Sequence, residues 1–318
     1  MADATTGTTA PATGTGLPLR PLGTTGANVS ILSLGGWHIG DVSDEAESIR
    51  IMHAAIDEGL TFFDNAWDYH MGKSEEWMGN ALAMDGKRKN VFLMTKNCAR
   101  DGQGTREHLE DSLRRLKTDY LDLWQFHEIN YDNDPEWIVE QGALAEALKA
   151  QKAGKVRFIG FTGHKSPHIH LKMMPVHKWD TVQLPVNVCD PYYRSFISDV
   201  IPVAAKQNAG VIGMKSLGGG SVAGGGGIIL KSNACSVEEA IRFALSQPIA
   251  SLVVGIDSMA VLKQNIAIAR GFQPMPTAER EALLAKVKAI AGDGRYELFK
   301  SGQHFDGPFH RVQHGFEV

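Results

Sequence analysis

The sequence predicts an α/β fold in which short strands alternate with helices. Eight short apolar segments rich in Val, Ile, Leu and Phe occur along the 318 residues. Several lack an alternation of polar and apolar residues, as is typical of parallel strands covered on both faces. Their starts lie 25 to 39 residues apart, which is the length of a strand–helix unit. We therefore predict a single (β/α)8 barrel domain over residues 23–318, with a last helix and a tail at its C-terminal end.

The alternative architecture is an open, doubly wound sheet. A sheet of that kind that binds a dinucleotide usually carries a G-x-G-x-x-G motif after its first strand. The sequence has no such motif, which favours the barrel. The eight predicted strands cover residues 29–36, 60–66, 91–97, 120–128, 156–164, 181–187, 210–217 and 249–257.

Helices are predicted between these strands. The helix over 43–58 opens with Ser43 and places Ile49, Met52 and Ile56 on one stripe. The helix over 105–117 carries three leucines at helical spacing, at positions 109, 113 and 116.

Two more helices are predicted in the C-terminal third of the chain. The helix over 236–247 begins with Ser236 and Glu239, whose spacing is that of a capping box. A last helix covers 277–299, and an aromatic, His-rich tail follows over 300–318. Phe305, Phe309, His310 and Phe316 would be costly to leave in water, so we predict that this tail folds over the mouth of the barrel and shapes substrate choice.

The composition argues against several functional classes. Lys and Arg number 32 and Asp and Glu number 36, so the net charge of −4 lacks the basic surplus of a nucleic-acid-binding protein. No apolar run reaches the roughly 18 residues of a membrane-spanning helix. Cys98, Cys189 and Cys235 are widely spaced, which indicates free thiols in a reducing compartment. Residues 1–22 are expected to be a flexible tail without a signal peptide, and the protein is expected to be cytoplasmic.

Titratable residues follow three neighbouring predicted strands. Asp64 ends the second strand and Tyr69 follows it, Lys96 ends the third, and His127 ends the fourth. In a (β/α)8 barrel the carboxyl ends of all strands meet at the face that holds the active site. We therefore expect these four side chains to lie together and to perform proton chemistry.

These residues carry a family resemblance. Asp64-Asn-Ala-Trp-Asp-Tyr69, Thr95-Lys96 and Gln125-Phe-His127 resemble the Asp, Tyr, Lys and His tetrad of the aldo-keto reductases. The segments 159–164 and 187–196 resemble a bacterial-type branch of that family. The resemblance implies reduction of an aldehyde or ketone with NAD(P)H.

The expected chemistry gives each tetrad member a role. Tyr69 would donate a proton to the carbonyl oxygen, and a neighbouring Lys96 ammonium would lower the pKa of the phenol. Asp64 would orient Lys96, and His127 would hydrogen-bond the carbonyl oxygen. The substrate is expected to be a small carbonyl compound.

The resemblance also implies a set of cofactor-binding residues. Thr162 and Gly163 lie where the family has Ser and Asn at the carboxamide, and Met214 lies where many members stack a Tyr. A Gly-rich loop over 218–227 could approach the pyrophosphate. The full set is Gly36, Trp37, Thr162, Gly163, Gln183, Met214, Lys215, Ser216, Gly218, Asp257, Ser258, Gln264 and Asn265.

The cofactor is expected to be NADPH on the habit of the family, with NADH as the alternative. The positions where NADPH-specific members place basic residues hold Gly255 and Val261 here, and Asp257 lies between them. Its carboxylate opposes a 2′-phosphate unless Lys263 or Arg270 folds back. NADPH selectivity is therefore expected to be weak. Trp37, Trp67 and Tyr192 are expected to wall the substrate pocket.

Two other functions fit the same sequence. One is a regulatory module that keeps the cofactor and turns over little substrate. The other is a metal-dependent barrel hydrolase that uses the histidines at positions 164, 168, 170 and 177. Because these histidines do not suggest convergent ligand geometry, we expect solvated or helix-capping roles for them and no metal site.

Overall fold

The barrel that the sequence predicts is present in a computed structural model, which describes residues 16–219 and 227–317. Its eight parallel strands close in chain order, with the last strand paired to the first. Two additional strands, β1 and β2, form an antiparallel hairpin before the barrel. The strands are β1 Leu19–Pro21, β2 Asn28–Ser30, β3 Leu32–Gly35, β4 Phe62–Asp64, β5 Phe92–Asn97, β6 Leu121–Phe126, β7 Val156–Thr162, β8 Thr181–Pro185, β9 Gly210–Met214 and β10 Ser251–Gly255.

Helices cover the outside of the barrel and continue beyond it. They are α1 Gly36–Ile39, α2 Glu45–Asp57, α3 Lys73–Ala83, α4 Gly102–Arg115, α5 Asp134–Glu140, α6 Ala143–Lys152, α7 Pro167–Met173, α8 Phe196–Asp199, α9 Ile201–Lys206, α10 Val237–Leu245, α11 Met259–Arg270, α12 Thr277–Ala291, α13 Leu298–Ser301 and α14 Pro308–Gln313. Short 3-10 segments occur at Tyr69–Gly72, Met84–Asn90, Asp190–Tyr192 and Ile228–Ser232.

The hairpin changes the prediction for the N-terminal region. The predicted first strand over 29–36 is two strands, because the chain bends at Ile31 and Gly36 already belongs to α1. The predicted flexible tail does not reach residue 22, since β1 is paired and Leu22 is fully buried. Leu22 packs into an apolar cluster with Phe62 and Phe92 of the barrel strands. Residues 1–15 of that tail lie outside the described residues.

The helix boundaries follow the caps. The predicted helix 43–58 begins after Asp44, whose carboxylate accepts from the Glu47 amide at 2.9 Å, and Ser43 is not the cap. The helix predicted to start at 105 begins at Gly102, since Asp101 caps it. The predicted capping box of Ser236 and Glu239 is confirmed.

The C-terminal segment bends back over the barrel. The predicted helix 277–299 ends at Ala291, before the glycines at 292 and 294. Asp306 then accepts hydrogen bonds from Asn130 Nδ2 at 2.9 Å and from the Tyr131 hydroxyl at 2.6 Å, beyond the end of β6. The predicted position of the tail over the barrel mouth is confirmed by these contacts. None of the helices in the described ranges has the length and apolarity to cross a membrane.

Candidate active site

The four tetrad residues meet at the carboxyl ends of β4, β5 and β6. Lys96 Nζ forms an ion pair with Asp64 and donates to the Asn65 carbonyl at 2.7 Å. The same ammonium lies 3.4 Å from the Tyr69 hydroxyl. The Tyr69 and His127 rings are edge-to-face, with centroids 5.5 Å apart. The strands therefore bring together the residues that the sequence placed at their ends.

Tyr69 is held in a buried and negatively charged environment. Burial raises the pKa of the Tyr69 phenol well above its usual value, and the carboxylates of Asp64, Asp68 and Glu128 raise it further. The predicted lowering of this pKa by Lys96 is wrong for this structure. The physical reason is that burial, the largest effect, and the neighbouring carboxylates, of which Asp64 is paired with Lys96, outweigh the Lys96 ammonium. Tyr69 is therefore a protonated phenol at neutral pH, the form that can donate a proton.

His127 has a partner that the sequence analysis missed. Its Nδ1 lies 3.0 Å from Asp68 Oδ1, so Nε2 is the ring nitrogen left for another ligand. Burial lowers the pKa of His127, and the carboxylate of Asp68 opposes that shift. Burial would raise the pKa of Asp68, but the charge and hydrogen bond of His127 hold it well below its usual value. The sequence signal that could have identified Asp68 is its position directly before Tyr69.

Gln183 connects the predicted cofactor site to the tetrad. Its side-chain amide donates to Asp64 Oδ2 at 2.9 Å. The side-chain oxygen Oε1 of Gln183 is buried and has no hydrogen-bond partner within the described part of the chain. A buried acceptor without a donor is costly, so this atom is available to a ligand amide.

The neighbouring positions at the carboxyl end of β7 are Thr162 and Gly163. Thr162 pairs with Gln183 across β7 and β8 and is buried. A Cβ at Gly163 would lie 2.4 Å from the Ile129 carbonyl oxygen, so the fold has room only for glycine there. That close approach explains why this chain has glycine at position 163, where the resemblance leads us to expect an asparagine.

Other predicted cofactor-binding residues lie at the carboxyl end of β9, on the same rim of the barrel. Lys215, directly after β9, has a left-handed backbone (φ 59°), and its ammonium lies 5.5 Å from the centre of the Phe305 ring of the tail. Met214 is half-buried, and Ser216 and Gly218 are buried. Most of the predicted pyrophosphate loop, residues 220–226, lies outside the described residues.

A cleft lies at the far end of the predicted cofactor site. Its volume is about 610 Å³. Ser258 caps α11 by accepting from the Val261 amide, while Asn265 is buried and Gln264 is exposed. Arg270 is held by Glu58 at 2.6 Å and does not fold back toward Asp257. The cleft is lined by Asp41, Val42, Ser43, Asp44, Glu47, Asp257 and Ser258.

The three predicted pocket residues lie in different surroundings. Trp37 packs edge-to-face on Tyr69, with centroids 5.3 Å apart, and is 44% exposed. Trp67 stacks on His108 at 3.5 Å. Tyr192 donates its hydroxyl to the Leu284 carbonyl and packs in the apolar cluster under α12. Of the three, only Trp37 has a ring contact to a tetrad member among the described residues.

Two of the four histidines after β7, His164 and His170, differ from the expectation of solvated or capping roles, whereas the exposed His168 agrees with it. His164 is buried with Nε2 3.2 Å from Asp306, and His170 is fully buried. His168 is exposed and lies 3.4 Å from Asp132. Burial lowers the pKa of both His164 and His170 to about 4, which keeps them neutral.

Comparison with known proteins gives the family. The family model described as Aldo/keto reductase family matches residues 31–228, more than half of the chain. The chain belongs to the aldo-keto reductase family. This membership confirms the resemblance seen in the sequence, and the family is one of NAD(P)H-dependent oxidoreductases.

Several relatives of this aldo-keto reductase are bacterial. It is 35% identical over 197 residues to aldo-keto reductase YhdN of Bacillus subtilis, covering 57% of this chain and 56% of that protein. It thus spans little more than half the length of that relative. It is 33% identical to the uncharacterized oxidoreductase YrpG of Bacillus subtilis, covering 67% of this chain and 69% of that protein. The fold resembles aldo-keto reductase AKR11C1 from Bacillus halodurans, with a TM-score of 0.71 at 22% identity, covering 88% and 99% of the two chains.

Proposed function

We propose that this aldo-keto reductase reduces an aldehyde or ketone to an alcohol with a nicotinamide cofactor. The observation that carries the proposal is the position of the Tyr69 hydroxyl, 3.4 Å from the buried Lys96 ammonium and beside His127. A protonated phenol in that position supports proton donation to an oxygen on which negative charge develops.

Each tetrad residue has a distinct part in the proposed reaction. A bound reduced nicotinamide supplies the hydride. Tyr69 gives its proton to the carbonyl oxygen, and the Lys96 ammonium stabilises the phenolate that remains. Asp64 holds Lys96 in place through their ion pair. In its protonated form His127 orients the carbonyl oxygen by donating from Nε2, since Asp68 accepts from Nδ1.

The buried acceptor of Gln183 supports the fit of a nicotinamide. A carboxamide NH2 group is a donor of the kind that the unpartnered Gln183 oxygen requires. Asp64 accepts from the other end of the same side chain, so the cofactor site and the tetrad share one hydrogen-bond chain. Thr162 lies next to Gln183 in the barrel and would line the same ring.

The acidic cleft bears on the choice between the two cofactors. We infer that it receives the adenosine ribose, as the resemblance of Ser258 and Asn265 implies. Four carboxylates would then surround a 2′-phosphate that carries up to about two negative charges. A free 2′-hydroxyl could instead donate to Asp257. The cleft therefore makes the preference for NADPH over NADH weaker than is usual for the family. The habit of the family is still the reason to expect NADPH.

The test is a turnover assay with a binding control. NADPH and NADH are titrated separately by quenching of protein fluorescence, and their oxidation is then followed with a panel of aldehydes and ketones. Cofactor binding together with carbonyl-dependent oxidation supports the proposal. Cofactor binding without turnover on any carbonyl overturns it in favour of a regulatory module.

A further inference from the structure

A cluster of potential metal ligands lies where the tail meets the barrel. Asp68, Cys98, His127 and His310 each offer one ligand atom, and these atoms lie within 4.8 Å of one another. The first three residues come from segments that end or follow β4, β5 and β6. His310 comes from α14, at the other end of the chain. The cluster therefore joins the tail to the rim of the barrel.

The spacing of the cluster suits one tetrahedral ion. His127 Nδ1 lies 3.0 Å from Asp68 Oδ1 and 3.6 Å from Cys98 Sγ. Ligand atoms bound to one zinc ion at about 2.0–2.3 Å lie about 3.3–3.7 Å from one another in a tetrahedron. These two pairs already lie near that spacing, and the other ligand atoms, all within 4.8 Å of one another, would need to approach by at most about 1 Å.

His310 provides an independent observation. Its side chain is fully buried, and neither ring nitrogen has a hydrogen-bond partner among residues 16–219 and 227–317. A buried imidazole without a partner is costly, and a metal ion would satisfy one nitrogen. Glu128 Oε2 lies 3.8 Å from His310 Nε2, and metal-bound imidazoles usually direct their second nitrogen to such a carboxylate.

The donor set identifies the chemical class of the ion. One thiolate, two imidazoles and one carboxylate suit zinc, whereas magnesium and calcium prefer oxygen ligands. The two negative ligands would also balance the charge of a divalent ion. We propose that Asp68, Cys98, His127 and His310 form a site for Zn²⁺.

Occupation of this site would affect access to the barrel. The ion would tie α14 to the rim and occupy the Nδ1 of His127. Because the ion would take the Nδ1 of His127 that now pairs with Asp68, bound zinc disturbs the residue that orients the carbonyl oxygen, slows turnover and acts as a reversible inhibitor. This consequence rests on the proposed reductase function, whereas the binding of zinc does not.

The experiment measures metal binding directly. Zn²⁺ is titrated into the purified chain against a chromophoric chelator, and Co²⁺ is added separately to record its absorption spectrum. We expect one ion per chain and a near-ultraviolet band from the Co²⁺–thiolate bond. Cys98→Ser should abolish the band. Cys98→Ser and His310→Ala should each weaken Zn²⁺ binding by more than the roughly 10–100-fold that loss of a ligand's hydrogen-bond partner costs.

Matched controls keep the test decisive. Cys235→Ser removes another buried thiol, and His304→Ala removes an exposed histidine of the same tail, so both should bind zinc like the parent protein. Circular dichroism checks that each variant is folded. If Cys98→Ser unfolds, His310→Ala decides alone. Absence of saturable binding, or unchanged affinity in the folded ligand variants, overturns the site. Zinc binding without slower turnover overturns only the inhibition.

Discussion

Asp68 Oδ1 lies 3.0 Å from His127 Nδ1, and this pair sets which nitrogen of His127 can meet a substrate. Both side chains are at most 10% exposed, so water does little to screen the pair. A His127 that is neutral and donates from Nδ1 has only an acceptor at Nε2, whereas a protonated His127 donates from both nitrogens. The charge of Asp68 therefore controls how often His127 can donate to a carbonyl oxygen.

The first prediction concerns the pH dependence of catalysis in Asp68→Asn. The carboxylate raises the pKa of His127 against the effect of burial, so its removal lowers that pKa further. Protonated His127 disappears as the pH rises through its pKa, so the falling limb of kcat/KM should move to lower pH in the variant. The measurement is kcat/KM from about pH 5 to 8. Superimposable profiles would show that Asp68 does not tune His127.

The second prediction concerns Tyr69→Phe. The change removes the hydroxyl and keeps the ring that packs on Trp37. Loss of a general acid should lower kcat by about 10²–10⁴-fold, with cofactor dissociation constants nearly unchanged. Tyr120→Phe, at an exposed position, is the matched control and should keep full activity. Near-parental turnover in Tyr69→Phe would show that another group is the acid.

The third prediction concerns cofactor preference. The ratio of the dissociation constants for NADPH and NADH should be far from the strong NADPH selectivity usual in the family. Asp257→Asn removes one carboxylate from the cleft and should favour NADPH by about tenfold, since one charge-assisted contact is worth about 1.5–3 kcal/mol. Glu146→Gln changes an acidic group on α6 and is the control. A preference for NADPH above about a thousandfold in the parent protein would contradict the prediction.

The fourth prediction concerns the tail. Lys300 is fully buried and paired with Asp190 and Glu297, so the truncation should keep it and remove only residues 302–318. We expect KM to rise for bulky carbonyl substrates, because contacts over the barrel mouth are lost, while the barrel stays folded. The measurements are a substrate profile and thermal unfolding. An unchanged substrate profile in a folded variant would refute a role for the tail in substrate choice.

The tetrad could be chosen from the sequence for a physical reason. Each of its strands is a short apolar segment followed by a polar residue, and parallel strands in a closed barrel all end at one rim. Because consecutive strands are neighbours in the barrel, Asp64, Lys96 and His127 lie close together in space. The capping box at Ser236 could be predicted because it depends on residues within one helical turn.

Only the tertiary structure determined which contacts form between segments that are distant in the sequence. The hairpin that buries Leu22, the pairing of Asp68 with His127, and the approach of His310 to Cys98 depend on how loops and the tail pack. Hydrophobic periodicity reports which face of one element is buried, but it carries no information about which polar atoms from remote segments will meet there. The same limit explains the pKa of Tyr69: the sequence identified Lys96 as its neighbour, but burial and the ion pair with Asp64 determine the field around the phenol.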